Sequence, residues 1–251
     1  MATPSETFSK LPTITLWFWF IKICATTLGE TASDHLSHSL GFGYAATSLG
    51  LLIIFSITLA LQLLANGHHP WRFWSVILAT SIAGTAISDY MDRSLGLGYT
   101  TGSIILLGLL IGILLVWKLS GGVLSVSDIR TRRDEVLYWM AILVSNTLGT
   151  ALGDFLADDS GLGFAGSAGL IAGLIAVVTL LHWTTQLSKV VLFWAAFILT
   201  RPLGATLGDL FTKTHEQGGL DLGTLGSTAL LTVMLFTSIL WTNNRGSGVN
   251  H

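Results

Sequence analysis

The chain has 251 residues, 51% of them hydrophobic and 10% charged, with a formal net charge of −2. A soluble domain carries roughly a quarter charged residues, so the balance excludes an ordinary water-soluble globule and points to a membrane protein. The single cysteine, Cys24, excludes an intrachain disulfide and a thiolate metal cluster.

In chain order, the first ten residues, MATPSETFSK, are polar and lead into a segment long enough to span, without the usual small-residue cleavage site. No cleavable signal peptide is expected. Eight apolar stretches then follow, at about 13–34, 43–65, 71–90, 99–119, 136–155, 163–185, 189–211 and 222–242. Each has the roughly twenty residues that cross a hydrocarbon core of about 30 Å. The expected fold class is an all-α membrane protein of eight transmembrane helices, one domain over 1–251, with the lipid bilayer as its first partner.

The stretches pair into four repeats. Gly29 and Asp34 follow Trp19 by ten and fifteen residues, and the same offsets give Trp74, Gly84 and Asp89, then Trp139, Gly149 and Asp154, then Trp194, Gly204 and Asp209. After each aspartate a short polar loop is expected, then a glycine-aromatic signature: GFGY at 41–44, GLGY at 96–99 and GLGF at 161–164. The fourth copy reads GLDL at 219–222, after a three-residue insertion, with Asp221 in the place of the second glycine. The repeats lie at about 13–65, 71–119, 136–185 and 189–242, the second and third joined by a polar linker over about 120–135. Each unit crosses twice, so the repeats are parallel and related by an axis along the membrane normal.

An even number of spans puts both termini on one side. That side carries Lys10, Arg72, Lys118, Arg130, Arg132, Arg133, Lys189 and Arg245, against Arg93 and Lys213 opposite. The positive-inside rule makes the termini cytoplasmic in a bacterial inner membrane. All nine tryptophans fall toward the cytoplasmic ends. They are read as an interfacial belt, with packing of the four repeated ones inside the bundle as the alternative.

Positions seven, eleven and fifteen after each repeated tryptophan are spaced by four and share a helix face. They are Thr26, Glu30 and Asp34; Ser81, Thr85 and Asp89; Asn146, Thr150 and Asp154; and Arg201, Ala205 and Asp209. Lipid cannot satisfy such a face. The odd helices are therefore expected inside, in a quasi-fourfold (or two-half, pseudo-twofold) arrangement, with the even helices outside. Trp to Asp is about 22 Å along a helix, so the aspartates are expected near the extracytoplasmic end, either as an acidic ring or, taken singly, as caps of a neighbouring helix or of their own turns. Glu30 lies one turn deeper, Asn146 and Arg201 two. Arg201 is read as the counter-ion of Glu30 across the axis, and Lys22 as a side chain that snorkels to the cytoplasmic interface. Pro202 and the repeated glycines suggest helices that bend or break near mid-membrane. The histidines, including His35 and His38, read as solvated loop residues.

The four tandem units, each of two membrane segments with one repeated tryptophan, resemble a family of bacterial inner-membrane proteins built from a repeat of unknown function, over about residues 13–242. The resemblance implies an eight-span helical membrane protein and supplies no substrate or catalytic residue. From the residues themselves, the leading expectation is a transporter of a small cation, a divalent metal such as manganese, driven by proton exchange at the carboxylates. An oxygen-rich lining suits hard cations. Glu30 and Asp34 would be the principal metal ligands, with Asp89, Asp154, Asp209, Thr26, Ser81, Thr85, Asn146, Thr150 and Arg201 completing the ion or solute site. No resident cofactor is expected beyond such a bound divalent cation, and no nucleic-acid partner. Two alternatives stand beside this: a carrier or receptor for a small organic solute held by Arg201, and a structural membrane protein. An enzyme is not expected, for want of a paired-His metal motif or a GxSxG elbow.

Overall fold

The computed structural model describes residues 12–65, 67, 69–122, 124, 129 and 131–247. Lys10, His68, Arg130, His251, the side chain of Arg245 and much of the 120–135 linker lie outside them. Among the described residues there are eight long α-helices and no strand: α1 (Leu16–Asp34), α2 (Gly43–Leu63), α3 (Pro70–Asp89), α4 (Gly98–Leu119), α5 (Arg132–Asp154), α6 (Gly163–Thr184), α7 (Lys189–Thr212) and α8 (Thr224–Ser247). Six of them, α2 and α4 to α8, are long and apolar enough to cross a membrane. The polar stripes explain why α1 and α3 fall short, since Lys22, Glu30 and Asp34 sit in the first and Trp, Ser, Thr and Gly dilute the second.

The odd helices form the inner ring. Helix α1 packs against α3, α3 against α5, α5 against α7, and α7 closes on α1. Each even helix lies outside and packs most closely against the odd helix of the next repeat: α2 on α3, α4 on α5, α6 on α7, and α8 back on α1. This domain-wide rotation by one repeat locks the four units into a closed circle. The outer faces carry Leu49, Ile53 and Ile57 on α2, Ile104 and Ile111 on α4, and Leu225, Val233 and Phe236 on α8, all exposed. Such an exterior suits hydrocarbon rather than water.

The repeated glycines set the closeness of the ring. A Cβ on Gly29 would fall 2.6 Å from Ser81 Cβ, one on Gly84 3.0 Å from the Asn146 backbone, and one on Gly149 2.5 Å from Arg201 Cγ; on Gly204 it would strike Thr26. Position ten of each repeat thus presses against position seven of the next, and the fourth against the first. None of these helices is broken, which corrects that part of the expectation: α1, α3, α5 and α7 run continuously to their aspartates, Pro202 included, and the glycines serve close crossing.

Two further readings change. The segment after each aspartate is not a simple loop in the first three repeats. The helix continues as a five-residue π turn (His35–Ser39, Tyr90–Ser94, Phe155–Asp159), closed by Leu40 N–H to His35 O, Leu95 N–H to Tyr90 O and Ser160 N–H to Phe155 O at 2.9–3.0 Å. In the fourth repeat Asp221, at φ 56°, and Gly223, at φ 71°, adopt the left-handed pair that Gly41 and Gly43 adopt in the first. Asp221 therefore matches the first glycine, not the second, and the insertion is five residues long. Asp is one of the few residues that tolerates this backbone region.

The tryptophans do not form a simple belt. Trp74, Trp117, Trp139 and Trp194 are buried, whereas Trp17, Trp71, Trp183 and Trp241 are exposed. The repeated tryptophans and the aromatic residue before each of them make a closed circuit: Trp19, Phe18, Trp74, Phe73, Trp139, Tyr138, Trp194, Phe193 and back to Trp19, with successive ring centroids 5.1–6.2 Å apart. Edge-to-face and tilted packing of this kind holds better than area burial alone. Ring overlap needs neighbours, and the inner ring supplies them on both sides. The circuit seals the tryptophan end of the bundle.

Candidate functional site

Above the aromatic circuit the polar stripes converge on the axis. Lys22 is 1% exposed, with its ammonium 3.7 Å from the centre of the Phe197 ring, and it makes no ion pair among the described residues. It does not snorkel, because α1 is an inner helix and leads the side chain into the bundle rather than out of it. A cation over a desolvated aromatic face recovers part of what burial costs it.

One turn higher, Arg201 is fully buried and touches all three other inner helices. Nη1 donates to Thr26 O at 3.3 Å on α1. Nη2 meets Glu30 Oε2 on α1 at 3.1 Å, Ser81 O on α3 at 3.3 Å, Thr85 Oγ1 on α3 and Thr150 Oγ1 on α5 at 2.7 Å. Thr85 in turn donates to Glu30 Oε2 at 3.1 Å. The side chain reaches the axis because Gly149 leaves room for its stem and Gly208 for that of Glu30. Asn146 stands aside from the hub, donating to Thr80 Oγ1 at 2.9 Å and lying 3.5 Å from Ser81 Oγ.

The four aspartates close the column at the other end, and two basic side chains join them in pairs. Arg93 Nε lies 3.0 Å from Asp89 and its Nη2 3.6 Å from Asp154, tying α3 to α5. Lys213 Nζ lies 3.0 Å from both Asp209 and Asp34, tying α7 to α1. Burial alone would lower the Lys213 ammonium, but Asp209 and Asp34 outweigh it and hold it above the usual lysine value. Arg93 and Lys213 stand at the same offset, nineteen after the repeated tryptophan, where the first and third repeats have His38 and Asp158. His38 is 4.0 Å from Asp34 and 2.8 Å from the Tyr44 hydroxyl, while Tyr99 donates to Asp158 at 3.2 Å. His35 meets Thr224 at 3.1 Å.

The carboxylates that come closest to sharing one ion are those of Glu30, Asp154 and Asp209, with one oxygen from each within 4.8 Å of the others. Asp34, expected beside Glu30 as a ligand, shares Lys213 with Asp209 and is not one of the three, nor is Asp89, which pairs with Arg93. Asp154 is 3% exposed and accepts no hydrogen bond among the described residues; its one ionic contact is the long one to Arg93. Thr85 and Thr150 line the hub beneath the trio. Ser81 and Thr26 take part chiefly through their carbonyls. Sequence reasoning missed Arg93, Lys213, Thr80 and the aromatic circuit. The signal for all of them was present in the repeat itself, at offsets nineteen, six and minus one.

A bundle of tandem two-helix repeats with an apolar exterior and a charged, buried axis belongs to the class of membrane-type helical proteins. Within that class the assignment is specific: the model of the DUF347 repeat, a repeat of unknown function, matches residues 17–68, 72–122, 137–188 and 192–245, and the chain belongs to that family. No curated protein and no solved structure matches it.

Proposed function

We propose that the chain spans a bacterial inner membrane eight times with both termini cytoplasmic, and carries a small cation, a divalent metal such as manganese, in exchange for protons. The observation that carries this reading is the trio Glu30, Asp154 and Asp209, three buried carboxylates within 4.8 Å on the axis of the inner ring. Hard divalent cations take such oxygen donors at about 2.0–2.6 Å, and the neighbouring Thr85 and Thr150 hydroxyls extend the set. The charge of the column agrees. Counted formally, five carboxylates (Glu30, Asp34, Asp89, Asp154, Asp209) face four basic groups (Lys22, Arg93, Arg201, Lys213), one more acidic group than basic. The ends differ in a way that suits a carrier caught closed on one side. Aromatic rings seal the tryptophan end, while the aspartate end is covered by Arg93 and Lys213, whose side chains are 37% and 25% exposed.

The organic-anion reading loses its anchor, because both terminal nitrogens of Arg201 are committed to the other three helices. The deciding experiment is metal flux into proteoliposomes under an imposed pH gradient, tested with Mn²⁺, Mg²⁺ and Ca²⁺. Wild-type protein should carry at least one of them, and Asp154→Asn should abolish the flux while leaving the melting temperature nearly unchanged. A well-folded wild type that moves none of the three overturns the reading.

A further inference from the structure

We propose that Lys213 is a tethered occupant of the cation site, and that the carried cation and the Lys213 ammonium exclude one another. The inference rests on the cation-carrier reading and adds the residue that sets which charge the site accepts. Three observations lead to it. First, the ammonium sits 3.0 Å from Asp209, a member of the carboxylate trio, and 3.0 Å from Asp34, so it occupies the position a solute cation approaching from the aspartate end would take. Second, the Lys213 side chain has no ring contact among the described residues such as the one that Arg93 makes. Arg93 lies within a π turn, with its guanidinium 5.8 Å from the Tyr99 ring centre. Lys213 follows the last residue of α7, in extended backbone, at the start of the five-residue insertion peculiar to the fourth repeat. Its ammonium is a compact point charge on a flexible stem and is the closer mimic of an inorganic cation.

Third, the charge count changes in the required direction. By formal count, the column with Lys213 in place has one acidic group more than basic ones, an excess of one negative charge. With Lys213 withdrawn to the mouth, where a quarter of its side chain is already exposed, the excess is two, the charge that one divalent cation cancels. Binding a divalent ion and releasing Lys213 are then one event. The other charged groups at that end do not substitute for it. Arg93 meets its member of the trio, Asp154, only at 3.6 Å and is held more closely by Asp89 at 3.0 Å, His38 reaches Asp34 only at 4.0 Å, and Asp158 carries the same sign as the site.

The test is Mn²⁺ binding to the purified full-length protein, read from the spin-resonance signal of free Mn²⁺. Lys213→Gln should bind Mn²⁺ roughly tenfold or more tightly than wild type, the factor that about 1.4 kcal/mol of removed competition gives. Asp154→Asn should abolish binding in either background. A second variant avoids dependence on the glutamine: Lys213→Cys in a Cys24→Ala background should also bind tightly. Aminoethylation of the new thiol with 2-bromoethylamine, which rebuilds an ammonium at the reach of lysine, should return the affinity to the wild-type value. Equal or weaker binding by both Lys213 variants, with Asp154→Asn still abolishing it, overturns the tethered-cation proposal and leaves the carrier reading standing. No Mn²⁺ binding by wild type or any variant, with the same result for Mg²⁺ and Ca²⁺ by competition, removes both.

Discussion

The hub predicts an asymmetry between its two charged members. If Glu30 is neutralised in Glu30→Gln, the amide carbonyl still accepts from Arg201, and the guanidinium keeps Thr26 O, Ser81 O, Thr85 and Thr150. The loss is that of one charge-assisted hydrogen bond, about 1.5–3 kcal/mol. If Arg201 is removed in Arg201→Met, Glu30 is left buried with Thr85 as its one side-chain hydrogen-bond donor among the described residues, and the Thr26 and Ser81 carbonyls and the Thr150 hydroxyl each lose one of their partners. Breaking a buried pair from this side costs about 3–5 kcal/mol, because the charge that remains has nowhere to go. The double variant should recover part of the Arg201→Met loss, with a coupling above about 1 kcal/mol. Unfolding of the four proteins in mixed detergent micelles, followed by tryptophan fluorescence, completes the cycle. Additive losses, or an Arg201→Met protein no less stable than Glu30→Gln, would refute the account of Arg201 as the axial tie. In liposomes, Glu30→Gln should be folded and inactive.

The inner glycines give a graded series. Gly149→Ala, whose Cβ meets the immobilised stem of Arg201 at 2.5 Å, should lower stability by about 1–3 kcal/mol, and Gly84→Ala, at 3.0 Å from its neighbour, by less; equal losses would show that crossing distance is not what these glycines set. Asp221 at φ 56° should accept glycine with no loss or a gain of up to about 1 kcal/mol, while Asp221→Val should cost about 1–2 kcal/mol, both read as melting shifts in detergent. For topology, a cysteine at Asp158 should react with impermeant thiol reagents in intact spheroplasts and one at Arg132 only after permeabilisation; the reverse pattern would invert the proposed orientation.

The number, length and pairing of the helices were legible in the sequence because both signals are local. An apolar run of twenty residues and a Trp-Gly-Asp spacing require no knowledge of neighbours. The inward turn of the odd helices followed from one physical fact, that three stacked polar positions cannot face lipid. What the sequence hid is what depends on the next repeat. Gly29 reads as a possible helix breaker until Ser81 is seen against it, and Trp139 reads as an interfacial anchor until Phe73 and Tyr138 are seen on either side. Lys22 illustrates the same point: near a helix end on a hydropathy plot, its direction is decided only by which way α1 faces. The glycine signature of the fourth repeat was misaligned by two residues because GLDL resembles GLGY in letters, whereas backbone dihedrals place Asp221 and Gly223 in the matching turn.

The departures from fourfold likeness fall where geometry forbids likeness. At positions seven and eleven the four stripes meet on one axis, and Arg201 reaches across it to the other three helices. Four arginines would bring four like charges together in a site no water screens, and four alanines would leave the carbonyls and hydroxyls of the ring without a donor. One Arg201, one Glu30, the threonines of α3 and α5, and Ala205 opposite Gly153 satisfy the volume, the charge and the hydrogen bonds together. At position fifteen likeness is kept: all four residues are aspartate, and Arg93 and Lys213 offset their charge in pairs. At position nineteen the alternation His38, Arg93, Asp158, Lys213 turns the ring twofold, so that cations bridge the α3–α5 and α7–α1 seams and leave α1–α3 and α5–α7 unclamped. Movement at the aspartate end is therefore expected along those two unclamped seams, with each clamped pair moving as a unit. A crosslink across the α1–α3 seam at that end should arrest flux and one across the clamped α3–α5 seam should leave it; the reverse result would refute the assignment of the moving seams.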